Sequence, residues 1–334
     1  MATLERIRRV LATTALALAL AACGSSASHP THAAASRKAP AHTAHPAAAP
    51  ISALSYRALF SLPAAVQDPA SASLGDGRFV LLGGIDAADT STAAITVAGV
   101  RGAQGSASLP GAQHDAQAAV LGGAVYVFGG GEFSQYDHIL RFDPGSRSVS
   151  TAGTLPTAES DVAVTSLGDQ AYIVGGFDGN SALDTIVAWS PSGGAHVVAH
   201  LPVALRYAAV AAADGYVLVI GGSTPGGASD AVYRFRPGAP VEQIGRLAHP
   251  VTHAGAAVLG SIVYLIGGRG DSVSAQTADI WAIDPLSGRV KPAGRLPEPL
   301  SDIGVTTLGN AIVVAGGRSQ GGTQATVGEL SPAS

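Results

Sequence analysis

The sequence predicts an all-β chain: a six-bladed β-propeller of four-stranded blades, its ring closed by an N-terminal strand that completes the last blade. Three observations carry this. Glycine and proline, 43 and 20 of the 334 residues, are too frequent for long helices, whose interiors they break. An apolar, β-rich run ending in Gly-Gly recurs, the pairs beginning at Gly83, Gly129, Gly175, Gly221, Gly267 and Gly316, at steps of 46, 46, 46, 46 and 49 residues. A second marker keeps the same beat at Leu62-Pro63, Leu109-Pro110, Leu155-Pro156, Leu201-Pro202, Leu247-Ala248 and Leu296-Pro297. A period of this length filled by four short strands is the signature of propeller blades.

Residues 1–22 precede the repeats and read as an export signal. Arg6, Arg8 and Arg9 stand before an apolar run from Val10 to Ala22, which is too short to remain as a membrane span. The run ends Leu20-Ala21-Ala22-Cys23-Gly24 and resembles the lipobox of bacterial lipoproteins, in which the Cys becomes the lipidated first residue of the mature chain. The resemblance implies that Cys23, the single cysteine, anchors the protein to the cell membrane on its extracytoplasmic face, acyl chains holding an otherwise soluble domain at the lipid surface. One cysteine also excludes an intrachain disulfide and a thiolate metal cluster. Residues 23–50 are Ala, Ser, His and Pro with almost no large apolar side chain, so they cannot bury a core and are expected to form a disordered tether. His29, His32, His42 and His45 in this stretch have no metal-ligand spacing.

The propeller is expected over residues 51–334. In its third unit, strands are predicted at Val162–Leu167, Ala171–Val174 up to Gly175-Gly176, Thr185–Trp189 and His196–Leu201. Asp143-Pro144, Ser190-Pro191, Arg236-Pro237, Asp284-Pro285 and Ser331-Pro332 follow the third strands, where proline fixes φ and removes a donor, ending the strand. The sixth unit runs out after its third strand, Ala325–Leu330, while Ser55–Pro63 at the front has the fourth-strand pattern. Pairing the two removes an open edge and closes the ring.

A strand ending in Gly-Gly, a loop, a strand ending near Asp-Pro, then a strand leading to Leu-Pro resembles the kelch repeat, in six in-phase copies over residues 51–334. The repeats depart from the usual kelch pattern in two ways. Tyr126, Tyr172 and Tyr264 alone stand in or near the place of the Tyr before Gly-Gly, and Trp189 and Trp281 lie in third strands rather than fourth. Kelch propellers include binding scaffolds and, among exported bacterial proteins, sialic acid mutarotases. The resemblance to copper oxidases of the same superfamily is weaker, since their Tyr–Cys cross-link has no Cys within residues 51–334, Cys23 lying outside the domain.

Consecutive strands of a blade are antiparallel, so the segments after Gly-Gly and after Leu-Pro emerge on one face, where loops converge around the channel. The column at the start of each first strand is Asp68, Asp115, Asp161, Tyr207, His253 and Asp302, preceded by Gln67, His114, Ser160, Arg206, Thr252 and Ser301. Asp at such positions caps turns; a ring of four carboxylates broken by Arg206, Tyr207 and His253 also suits an asymmetric ligand. The loops add Phe133, Tyr136, Phe177, Arg269 and Arg318 to this face, and Phe133 and Phe177 suit stacking on a sugar or a partner protein. A further column, Asp137, Asp184, Asp230 and Asp279, reads as structural.

Residues 51–334 hold 14 basic and 22 acidic side chains, a net charge that repels nucleic acid. No Walker loop, Gly-x-Ser-x-Gly elbow or His-Glu-x-x-His motif occurs. The expected protein is therefore a monomeric, lipid-anchored binding module for an extracytoplasmic protein or glycan, without cofactor or metal. The alternative is a mutarotase-like carbohydrate epimerase using Glu159, Arg206 or His253 as acid and base. Calcium held by the Asp ring is a third reading.

Overall fold

The computed structural model describes residues 51–333; Cys23 and the stretches expected to be an export signal and a tether lie outside the described residues. Every regular element within them is a β-strand, and the strands build six four-stranded antiparallel sheets arranged as the blades of a propeller, with two short hairpins, Ser223–Thr224 with Gly227–Ala228 and Arg318–Ser319 with Gly322–Thr323, in the loops. Blade 3 shows the plan. Its strands Ala163–Leu167, Gln170–Val174, Leu183–Ser190 and Gly194–Leu205 pair in that order from the channel outward. The first three match the sequence expectation to within two residues, and the outer strand extends beyond 196–201 at both ends.

The second strands are apolar because neighbouring blades cover both their faces, as in Ala124–Phe128 and Ile262–Ile266, which are buried throughout, and only Arg78 and Gln170 at the turn-side ends of two of them break the pattern. The core accordingly lies between blades. Each of its six clusters is shared by two consecutive blades, the last joining blade 6 to blade 1. Trp189 of blade 3 packs against Tyr126 and Phe128 of blade 2 at centroid distances of 4.7 and 5.4 Å, so the tryptophan in a third strand does inter-blade packing. The marker leucines Leu62, Leu109, Leu155, Leu201, Leu247 and Leu296 are buried as well.

The Gly-Gly pairs have a direct cause. In every blade the second glycine donates its N–H to a carbonyl where the chain leaves that blade's outer strand for the next blade: Gly84 to Gln113, Gly130 to Glu159, Gly176 to Leu205, Gly222 to Val251, Gly268 to Leu300 and Gly317 to Val66, at 2.8 to 2.9 Å. That same carbonyl lies 2.1 to 2.5 Å from where a Cβ on the first glycine would sit. Both glycines are also left-handed, a region they reach without penalty. Gly175→Ala is therefore expected to lose roughly 3 kcal/mol, left-handed strain adding to a clash with Leu205 and a lost hydrogen bond. Gly168→Ala, at φ +66° with nothing within 4 Å of the new Cβ, should lose only about 1 kcal/mol. Equal losses in denaturant melts would refute the carbonyl cradle.

The ring closes as the repeats require. Leu54–Ser61 pairs antiparallel with Thr326–Pro332, matching Tyr56 to Leu330 and Ser61 to Thr326, and forms the outer strand of blade 6. In every blade the pairing of third and outer strands shifts register at a bulge, which twists the exposed edge away from chance pairing.

The propeller has two unlike faces. The loop face gathers the segments after Gly-Gly and Leu-Pro: Gln67 bridges Ile85, His114 Gly131, Ser160 Phe177, Arg206 Ser223, Thr252 Arg269 and Ser301 Arg318. The turn face carries the tight turns, where Asp143 Oδ1 accepts the N–H groups of Gly145 and Ser146, and Asp284 Oδ1 those of Leu286 and Ser287. This explains the Asp-Pro marker. The closing strand runs from Leu54, opposite Pro332 on the turn face, to Leu62, whose N–H bonds the Ala325 carbonyl near the loop face. Residue 51 thus lies on the turn-face side.

Candidate functional site

Asp68, Asp115, Asp161, Tyr207, His253 and Asp302 come together as one collar around the channel on the loop face. All six are left-handed, with φ between 52° and 57°. The conformation lets each blade reach the previous one. Asp161 N–H donates to the Asp115 carbonyl at 2.9 Å, Tyr207 to Asp161 at 3.0 Å, His253 to Tyr207 at 3.2 Å, Asp302 to His253 at 3.0 Å and Asp68 to Asp302 at 2.6 Å. The circuit is completed by Asp115 N–H on Asp68 Oδ2 at 2.9 Å. Aspartate tolerates the left-handed region better than most residues, so the four carboxylates have a backbone reason. Tyr207 and His253 hold the same conformation at greater cost.

The six side chains line a cavity of about 40 Å³, room for one or two waters. Across it the polar groups are tied to one another. Arg206 forms an ion pair with the buried Asp161, whose other oxygen accepts from Ser160 Oγ at 2.9 Å. Arg206 also stacks on Phe177, its guanidinium carbon 4.2 Å from the ring centroid. Tyr207 donates to Asp115 Oδ2 at 3.3 Å and stacks on His253 at 3.7 Å. His253 Nε2 accepts from Arg269 at 2.9 Å, its Nδ1 lies 3.0 Å from Thr252 Oγ1, and Ser301 Oγ donates to Asp302 Oδ2 at 2.5 Å. His114 sits 3.4 Å from Asp115 and 2.8 Å from Ser91 Oγ.

Burial and crowding set the protonation states. Burial, then the neighbouring Asp115 charge, push Asp161 up to about 7 despite Arg206. The same two causes hold Asp68 well above the usual range, whereas Asp115 stays below it because hydrogen bonds and His114 outweigh its burial. Crowded together in a buried site, the two carboxyls titrate as a pair, and their mutual repulsion favours its protonated form. Burial raises Asp302 as well. Burial and the Arg269 charge drive His253 down to about 3, so it stays neutral. Glu159, buried beneath blade 3, is raised to about 8 by burial and by Asp178, and its Oε1 has no hydrogen-bond partner. Among the described residues no group of three or more His, Asp or Glu is placed to hold a metal ion.

The loop residues divide. Phe177 and Arg269 are drawn into the collar, and Arg318 pairs with Asp89 and Gln67 at 3.0 and 3.3 Å. Phe133 stands apart on its loop, 95% exposed. Asp184, Asp230 and Asp279 make cross-strand pairs with His200, Arg246 and Arg295, structural as expected. Sequence reasoning missed Gln67 and Asp89 as partners of Arg318, and the role of Phe177 as a platform for Arg206. The Arg206–Tyr207 pair, where the other blades carry smaller residues and mostly Asp, was the signal available.

Three comparisons bear on the chain. The Kelch motif family model matches residues 160–197, which is most of blade 3. No curated protein sequence matches. A solved structure described as "Structure of YjhT" is similar at 17% identity and a TM-score of 0.70, covering 81% of this chain and 95% of that one, a likeness of fold. The chain is a six-bladed β-propeller whose third blade matches the Kelch motif, and the glycine cradle and leucine marker of that blade recur in the other five.

Proposed function

We propose that the protein is a non-catalytic binding module outside the cytoplasm, held at the membrane through a lipidated Cys23, with the loop face engaging a protein or a glycan. One observation carries the reading. The ionisable groups of the collar are paired with one another around a cavity far smaller than the several hundred Å³ of an ordinary ligand pocket, while the rim above presents Phe133 almost fully to solvent. An exposed aromatic on a rigid scaffold is the usual anchor of an interface. Residue 51 lies on the turn-face side, so a tether from a membrane leaves the loop face free. Phe133→Ala should leave the melting temperature unchanged and weaken capture of surface proteins or of arrayed glycans by roughly 30-fold. An identical capture profile for wild type and variant would remove the loop face from consideration.

A second reading, an epimerase acting on sialic acid, draws on Asp161 and Glu159, whose carboxyls exchange protons near neutrality. His253 is a poor base on this geometry, since Arg269 already donates to its Nε2. A time course of anomer interconversion by NMR decides: no acceleration over buffer ends the reading.

A further inference from the structure

The turn face carries a crown of cations that the loop-face reading leaves unused. Arg101, Arg147, Arg236 and Arg289 each stand in the turn between third and outer strands, in blades 1, 2, 4 and 5, and all four are exposed. Lys291 follows in the outer strand of blade 5, also exposed. Within the described residues none of the five pairs with a carboxylate, whereas Asp76, Asp143 and Glu242 on the same face are neutralised by Arg78, Arg141 and Arg234, which leaves Asp169 and Asp214, in first-to-second-strand turns, as its other exposed carboxylates. The loop face is the reverse, with Asp86, Glu132, Asp178 and Asp271 in its loops, while its cations Arg206 and Arg318 are paired with Asp161 and Asp89. Where blade 6 would have the corresponding turn, the chain enters at residue 51.

Two turns also expose an apolar side chain beside the cation: Val100, 43% exposed, precedes Arg101, and Leu286, 40% exposed, is three residues before Arg289. Apolar tips flanked by arginines suit the boundary between headgroups and acyl chains, where the tip inserts and the guanidinium stays with the phosphates.

We propose that the turn face docks on an anionic phospholipid bilayer through Arg101, Arg147, Arg236 and Arg289, with Val100 and Leu286 at the headgroup boundary. The inference rests on the membrane-anchored reading and names the lipid surface against which the propeller lies, its loop face outward. The charge asymmetry orients the domain as well as attracting it, since the acidic loop face is repelled by the same surface.

The test uses the chain from residue 23 onward with Cys23→Ser, so that no acyl chain contributes, and vesicles of phosphatidylglycerol mixed with phosphatidylcholine or of phosphatidylcholine alone. Binding is expected to the anionic vesicles only, and to fade as salt is raised. Replacing Arg101, Arg236 and Arg289 together by Gln should weaken it about a hundredfold at unchanged melting temperature, at roughly 1 kcal/mol per cation. Equal binding by the triple variant overturns the proposal, and so does a parent that binds neither kind of vesicle. Either outcome leaves the Phe133 capture experiment, and so the loop-face reading, to be judged separately.

Discussion

A chain that starts at residue 63 is expected to lose its cooperative melt. Removing Leu54–Ser61 strips blade 6 of its outer strand and leaves Thr326–Pro332 as a bare edge. The loss spreads beyond one sheet. Leu54 belongs to the core shared by blades 5 and 6, and Leu62 to the core between blades 6 and 1; burying each is worth about 2 kcal/mol. The Ser52 carbonyl accepts from Tyr264 Oη at 3.1 Å, the Tyr56 ring covers Gly328, and Arg57 pairs with Glu329 at 3.2 Å. Together these approach the whole stability of an ordinary domain. A propeller lacks the independence of open repeat arrays, because each blade needs two neighbours and the closing strand is what makes blade 6 a neighbour to blade 1. Calorimetry of the truncated chain, with and without a synthetic peptide of residues 51–63, gives the measurement. Loss of the transition and its return with peptide is the expected pair; a truncated chain that melts like wild type would mean that the ring does not depend on its closure.

The closure was legible because every step toward it is forced by backbone geometry that leaves a residue-level mark. A carbonyl of the segment that leads to the next blade admits only glycine at Gly83 and its equivalents, a buried leucine precedes each such passage, and a missing fourth strand at one end has a surplus strand at the other. The collar was legible as a column but not in its cause. Nothing in the spacing says that Asp68, Tyr207 and His253 share a left-handed backbone, since a bulky Tyr is rarely found there. The pairings are less legible still. Arg206 with Asp161 and Arg318 with Asp89 cross from one blade to its neighbour, and the loops that set them differ in length from blade to blade. Glu159 stands in a column that is otherwise Val66, Gln113, Leu205, Val251 and Leu300; its burial follows from that column, its missing partner only from the structure.

Glu159 also sets the second large effect, a fall in stability between pH 6.5 and pH 8. Its carboxyl has a folded value of about 8 against 4.5 unperturbed, so above pH 4.5 the unfolded chain gives up its proton while the folded chain keeps it. Folding then takes up a proton, and stability drops with each pH unit until the folded group ionises. Asp161 acts in the same direction up to about pH 7, and the raised Asp68 and Asp302 add to it. His253 opposes them, but only below its ordinary value of 6.5: held down to about 3, it stays unprotonated in the fold while the unfolded chain binds a proton, so its destabilising share fades by pH 6.5. Above that value the carboxyls act alone. Glu159 should contribute about 2 kcal/mol of loss between pH 6.5 and pH 8, at 1.36 kcal/mol per unit. Glu159→Gln keeps the shape and removes the charge, so the variant should lose about 2 kcal/mol less than wild type over that interval in denaturant melts, keeping only the slope due to the collar aspartates. If the two proteins show the same pH dependence, the unpartnered carboxyl of Glu159 is not where the proton is held.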